Sequence, residues 1–157
     1  MQPSSFQMHK LNVLVEYKEL CSRLYQLCRE RFPEYEELMA ALVHEKESHI
    51  RWIQSQEKGV ESGTVTINPN AVKVEAMRFV IQAIRQKMED IKRNSLTSLQ
   101  ILLYIRETEN TMLEKNFFQI FENSSVEFKT EKMALESEDQ RNLDTIQSAL
   151  SERKRSL

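Results

Sequence analysis

The chain has 157 residues and a formal charge of −2, from 22 basic and 24 acidic side chains. That is enough for one domain and too balanced to attract nucleic acid or an anionic membrane. Its 2 glycines and 3 prolines fall well below the usual combined share of about an eighth, so the turns of an all-β or α/β fold lack their residues and long helices are expected.

Composition, at 40% hydrophobic and 29% charged residues, fits neither a disordered chain nor a membrane protein. The longest apolar run, Leu38 to Val43, is far too short to span a bilayer. Apolar spacing predicts five helices in one domain over 1–157: A at Gln7–Arg31, B at Glu34–Glu57, a crossover helix at Asn70–Arg93, C at Leu96–Glu122 and D at Ser125–Arg153. Residues 1–6 and 154–157 are expected to be flexible ends. Pro33 suits the start of B, Asn68-Pro69-Asn70 the entry to the crossover helix, and Asn94-Ser95 and Asn123-Ser124-Ser125 the later boundaries. Gly59 to Pro69 is the one stretch rich in breakers. Short A–B and C–D turns imply two antiparallel hairpins, and the long B-to-C passage lets C start from the opposite end of the bundle.

Cys21 and Cys28 stand seven residues apart in helix A, about 10 Å along its axis, which is too far for a mutual disulfide. They read as reduced core thiols, and two cysteines cannot build a four-thiolate metal centre. Met1 to Ser5 carries no secretory pattern, so the cytoplasm is the expected location.

Helical wheels place polar residues inside each apolar stripe. Helix A aligns Leu14, Lys18, Cys21, Tyr25 and Cys28. Helix B aligns Leu42, Lys46, His49 and Ile53, with Glu45 at the margin. Helix C aligns Leu102, Arg106, Glu109, Leu113 and Phe117, leaving Glu107 and Glu114 outside. Helix D aligns Leu135, Asp139, Asn142 and Ile146. Four helices thus contribute to one interior polar layer, which is costly unless its members find partners.

Two stretches carry a resemblance. LMAALVHEKESHIRWIQ (Leu38 to Gln54) resembles the second-helix motif of the rubrerythrin-like ferritin family, and RETENTMLEKNFFQIF (Arg106 to Phe121) resembles its third helix. The resemblance extends over about residues 13–150. It implies an all-α, ferritin-like four-helix bundle with an extra crossover helix between the second and third bundle helices, built around a di-iron site. Carried over residue by residue, the family's ligand positions fall on Lys18, Lys46, His49, Glu109, Asp139 and Asn142. Two ligand carboxylates have therefore become ammoniums, which neither coordinate a metal nor neutralise its charge.

The lysines allow two readings. Either both snorkel to solvent, or they stand in for the two cations and pair with Glu109 and Asp139, with Arg106 as a further cation. Two functions follow. The first is a non-enzymatic structural or protein-interaction module with a degenerate di-iron site and no cofactor, as a possible homodimer. The alternative is a di-iron oxidoreductase or peroxide reductase using iron at Glu45, His49, Glu109 and Asp139. The segment His44 to His49 is no metalloprotease motif, because Ser48 stands where the second histidine is needed.

Overall fold

The computed structural model describes residues 5–156, which form an all-α fold with one very small sheet. Helix α1 (Ser5–Arg31) ends on Arg29 and Arg31, cations suited to the negative end of the helix dipole. Pro33 opens a short 3-10 turn, Pro33–Tyr35, that leads into α2 (Glu36–Ser62). Helix α1 therefore starts at Ser5, so part of the segment expected to be a flexible end is helical. Residues 1–4 and 157 lie outside the described residues.

Helix α2 continues past the predicted end at Glu57 to Ser62 and stops at Gly63, whose φ of +83° is the left-handed cap that glycine adopts without strain. Gly59 stays helical because it lets the chain fold back closely: the Val65 side chain occupies the space that a Cβ would take, and Val65 N–H donates to the Gly59 carbonyl at 3.0 Å. Strand β1 (Thr66–Ile67) pairs antiparallel with β2 (Phe121–Glu122), Ile67 opposite Phe121. An Asx turn from Asn70 N–H to Asn68 Oδ1, 2.9 Å, then delays the next helix. This is α3 (Val74–Lys92), four residues later than predicted. Met77, Ile81, Ile84 and Ile91 bury its apolar side, and contacts Glu16–Arg85 and Arg31–Asn94 place α3 alongside α1 in parallel.

The single predicted helix C is two helices. Helix α4 (Ser98–Glu109) starts from a reciprocal capping box between Thr97 and Gln100 and stops at Asn110. Helix α5 (Met112–Lys115) and a 3-10 turn, Phe117–Ile120, follow. The run Thr108-Glu109-Asn110-Thr111 supplies the reason. Thr108 Oγ1 donates to the Tyr104 carbonyl, and Thr111 Oγ1 donates to the Thr108 carbonyl while accepting from Glu114 N–H. Side-chain hydroxyls thus replace part of the helical backbone ladder.

Helix α6 (Val126–Arg155), capped by Ser125 through Phe128 N–H, closes the fold. It carries helix through residues 154–155, which were expected to be loose. Only Phe128, Ile146 and Leu150 of its residues are fully buried, Leu135 packs partly buried against the core, and between Leu135 and Ile146 the polar side chains Asp139 and Asn142 meet α2. Pairs Glu45–Asn142, His49–Asp139 and Trp52–Phe128 show that α6 runs antiparallel to α2. Helices α1, α2, α4 and α6, with the short α5, surround the polar layer.

Candidate functional site

The interior layer is assembled from α1, α2, α5 and the end of α4. Lys18 is fully buried, and its ammonium donates to both oxygens of Glu114, at 3.0 and 2.8 Å. Lys46, also fully buried, donates to Glu109 Oε2 at 2.8 Å and to Glu114 Oε2 at 3.0 Å, with Glu45 Oε1 at 3.6 Å. One oxygen of Glu114 therefore bridges two ammoniums. The remaining oxygens are taken by phenols: Tyr17 O–H donates to Glu114 Oε1 at 2.7 Å, and Tyr25 O–H to Glu109 Oε1 at 2.6 Å. The Lys18 ammonium also sits 4.1 Å from the centre of the Phe117 ring, a cation–π contact strengthened by desolvation.

A second group adjoins it between α2 and α6. His49 Nε2 lies 2.9 Å from Asp139 Oδ1, and the Asn142 amide donates to Glu45 Oε2 at 2.9 Å. The His49 ring stacks on Phe117 with centroids 4.9 Å apart. Its Nδ1 is buried without a hydrogen-bond partner.

Burial and charge divide the protons. Burial works against the charge of Lys46, but Glu109, Glu114 and Glu45 more than offset it and hold the amine's pKa well above its ordinary value. Burial likewise opposes the Glu114 carboxylate, yet Lys18 and Lys46 keep its pKa below the usual range. Burial pushes Glu109 up despite the pull of Lys46. Asp139 rises to about 10, through burial and then through the hydrogen bond and charge of Glu45, as two close carboxyl groups that share a proton do. Burial, reinforced by Lys18 and Lys46, pushes His49 far below its ordinary value and leaves the ring neutral. Both tyrosines are raised well above their usual value, chiefly by burial, and stay protonated as donors.

The sequence-derived set is thus brought together in part. Lys18, Lys46, His49 and Glu109 converge in the interior, and Glu45 is buried rather than marginal. Asp139 keeps 20% of its side chain exposed and Asn142 is half-buried. Neither lysine snorkels. Their partners differ from expectation, because Lys18 pairs with Glu114 and Asp139 pairs with His49. Arg106 is no further cation of the layer: it is partly exposed and makes no ion pair among the described residues. A long side chain on a helix flank avoids the cost of desolvating a third cation.

Glu114 was expected outside the core and is its central anion. A continuous helix would turn it about 140° from Glu109, but the break after Glu109 resets the direction. The Thr108 to Thr111 run was the signal for that break. Tyr17 gave no signal, since a tyrosine at a core position reads as packing.

The donor set does not fit a dimetal centre. The carboxylates that would hold two metals are already satisfied by ammoniums at 2.8 to 3.0 Å, and the position needed for a Glu-x-x-His pair ending at His49 is Lys46. Both cysteines are free and buried. A cleft of about 290 Å³ reaches the layer from the surface between α5 and α6, lined among others by Glu109, Glu114, Phe118, Glu136 and Asp139.

Two outcomes follow. Glu114→Ala strands the buried Lys18 ammonium, takes one of two close carboxylates from Lys46, and lowers stability in urea unfolding by about 3–5 kcal/mol. Glu36→Ala, which removes a solvent-exposed pair with Arg29 at 3.0 Å, costs under about 1 kcal/mol, and equal losses would show that the layer is wet. Asp139 faces Glu45 and His49, with Lys46 and Lys18 acting from further off. Its folded pKa lies above its unfolded one, so its contribution to stability is complete below the ordinary carboxyl range and is lost as pH rises toward that of the folded form. The stability difference between wild type and Asp139→Asn should therefore move steadily in the variant's favour from about pH 6 to about pH 9. A constant difference would place an ionised carboxylate at Asp139 throughout.

No protein-family model matches the chain, and no curated protein or solved structure matches it, so its function is argued from the chemistry of this layer.

Proposed function

We propose that the chain is a ferritin-like bundle in which an ion-pair layer has replaced a dimetal centre, and that it serves as a structural or protein-interaction module rather than a redox enzyme. The observation that carries this reading is the bridged pair of ammoniums: Lys18 and Lys46 share Glu114 Oε2, at 2.8 and 3.0 Å. Two positive charges joined by one carboxylate stand where a dimetal centre would hold two cations joined by a bridging carboxylate. The order of elements supports it, with α1 and α2 as one hairpin, α3 as the crossover, and α4, α5 and α6 completing the bundle.

Such a layer acts on specificity rather than on net stability. Desolvation offsets most of the attraction, while wrong registers strand a charge. A rigid, redox-inactive bundle suits docking to another protein or to a second copy of itself, and a cytoplasmic homodimer belongs to this proposal. No nucleic-acid or membrane role is proposed, and among the described residues no helix is long and apolar enough to cross a membrane.

The second reading, an iron-dependent peroxide reductase, draws on Glu45, His49 and Asp139, whose donor atoms lie within 4.8 Å of one another. Its fourth residue, Glu109, is committed to Lys46 and Tyr25. Expression in iron-rich medium followed by elemental analysis and a peroxide-consumption assay separates the two. The module reading requires fewer than two iron atoms per chain and no turnover. Two iron atoms per chain with peroxide reduction would overturn it.

A further inference from the structure

The carboxylates of the layer outnumber its cations. Glu45, Glu109, Glu114 and Asp139 face Lys18 and Lys46, so the fully ionised layer is formally two positive charges short. The shortfall is local. Glu114 and Glu109 take the close ammonium contacts, whereas Glu45 has Lys46 only at 3.6 Å. Asp139 has no Lys or Arg within ion-pair distance among the described residues, its partner being a neutral imidazole. The two carboxyl groups without a close ammonium thus meet at the corner between α2 and α6.

We infer that this corner, formed by Glu45, His49 and Asp139, is a binding site for one divalent cation of the zinc class. Glu45 and His49 lie at i and i+4 on α2 and so project to the same side, and Asp139 meets them from α6. One donor atom from each residue lies within 4.8 Å of the other two. A tetrahedral ion about 2.1 Å from each donor needs them about 3.4 Å apart. The His49–Asp139 pair is already at 2.9 Å, so small side-chain rotations complete the arrangement. An imidazole nitrogen with two carboxylate oxygens is a donor set for a borderline divalent ion, with water as a fourth ligand.

Three further features point to a ligand. His49 is fully buried with Nε2 facing Asp139 and Nδ1 without a partner, so no bond at Nδ1 resists a small in-plane shift that brings Nε2 onto a cation. Asn142 holds Glu45 Oε2 and Phe117 holds the imidazole plane, the kind of outer support that orients metal ligands. The cleft lined by Glu136 and Asp139 gives a hydrated ion a route of entry. Lys46 limits the occupancy to one, because its ammonium already fills the space between Glu45, Glu109 and Glu114. This goes beyond the module reading, which concerns the loss of a metal pair, and assigns the corner a single redox-silent ion that fastens α6 to α2.

The test is calorimetric titration of the full chain, stripped with a chelator, with Zn²⁺. One equivalent is expected, weakened at least about 100-fold by Asp139→Asn, since losing an anionic ligand costs no less than losing its outer support, and unchanged by His44→Gln. The latter removes an exposed His44–Glu138 pair, 2.9 Å apart, that could hold zinc adventitiously. In the wild-type chain, imidazole NMR during the same titration should move the signals of His49 and leave those of His9 and His44 in place, which keeps the test decisive even if Asp139→Asn fails to fold. No zinc binding, or binding that follows His44 instead, overturns the site while leaving the module reading intact. Two equivalents held by the buried residues would overturn both.

Discussion

Glu114 is the anion on which the interior depends. Its carboxylate accepts from Lys18, Lys46 and Tyr17 at once, and those donors come from α1 and α2 while Glu114 comes from α5. In this arrangement Glu114 is the carboxylate that satisfies Lys18 and one of the two that satisfy Lys46 at close range. Hydrophobic burial favours many packings of amphipathic helices about equally, whereas an ammonium left unpaired in the core costs several kcal/mol. The layer therefore sets the relative register of the helices even though it adds little to their net stability.

The break between α4 and α5 serves that same anion. Threonine hydroxyls end α4 at Glu109, and the restart brings Glu114 back inward, so the two carboxylates face two ammoniums from adjacent segments. The following 3-10 turn then delivers Phe117 and Phe118 beneath the layer, where they pack on His49 and Trp52. Aromatic faces serve two purposes here, supplying apolar packing and accepting the Lys18 charge through the ring of Phe117. Helix α6 is bound differently, by the apolar residues Phe128, Leu135, Ile146 and Leu150 and, among them, by His49–Asp139 and Glu45–Asn142.

Much of this was legible in the sequence because helical periodicity is a local property. The scarcity of glycine and proline gave the all-α class, and the stripes placed Lys18, Lys46, His49 and Glu109 inside. Partner choice was not legible, since it depends on the orientation of segments that touch only after folding. Glu114 is the clearest case: an unbroken wheel turns it outward, and only the two-residue interruption at Asn110 and Thr111 reverses it. Glu45 was read as marginal because a wheel does not show that α6 covers that side of α2. Arg106 lies on the inward stripe by spacing alone, and its long side chain made that inference weak.

NMR of the lysine ammonium groups tests most directly whether two charged amines are bridged inside the bundle. Lys18 and Lys46 should give slowly exchanging Nζ signals at neutral pH, with couplings across the hydrogen bonds to the carboxylate carbons of Glu114 and, for Lys46, Glu109. Ammonium protons that exchange with water as fast as those of exposed lysines, with no such couplings, would contradict a buried ion-pair layer.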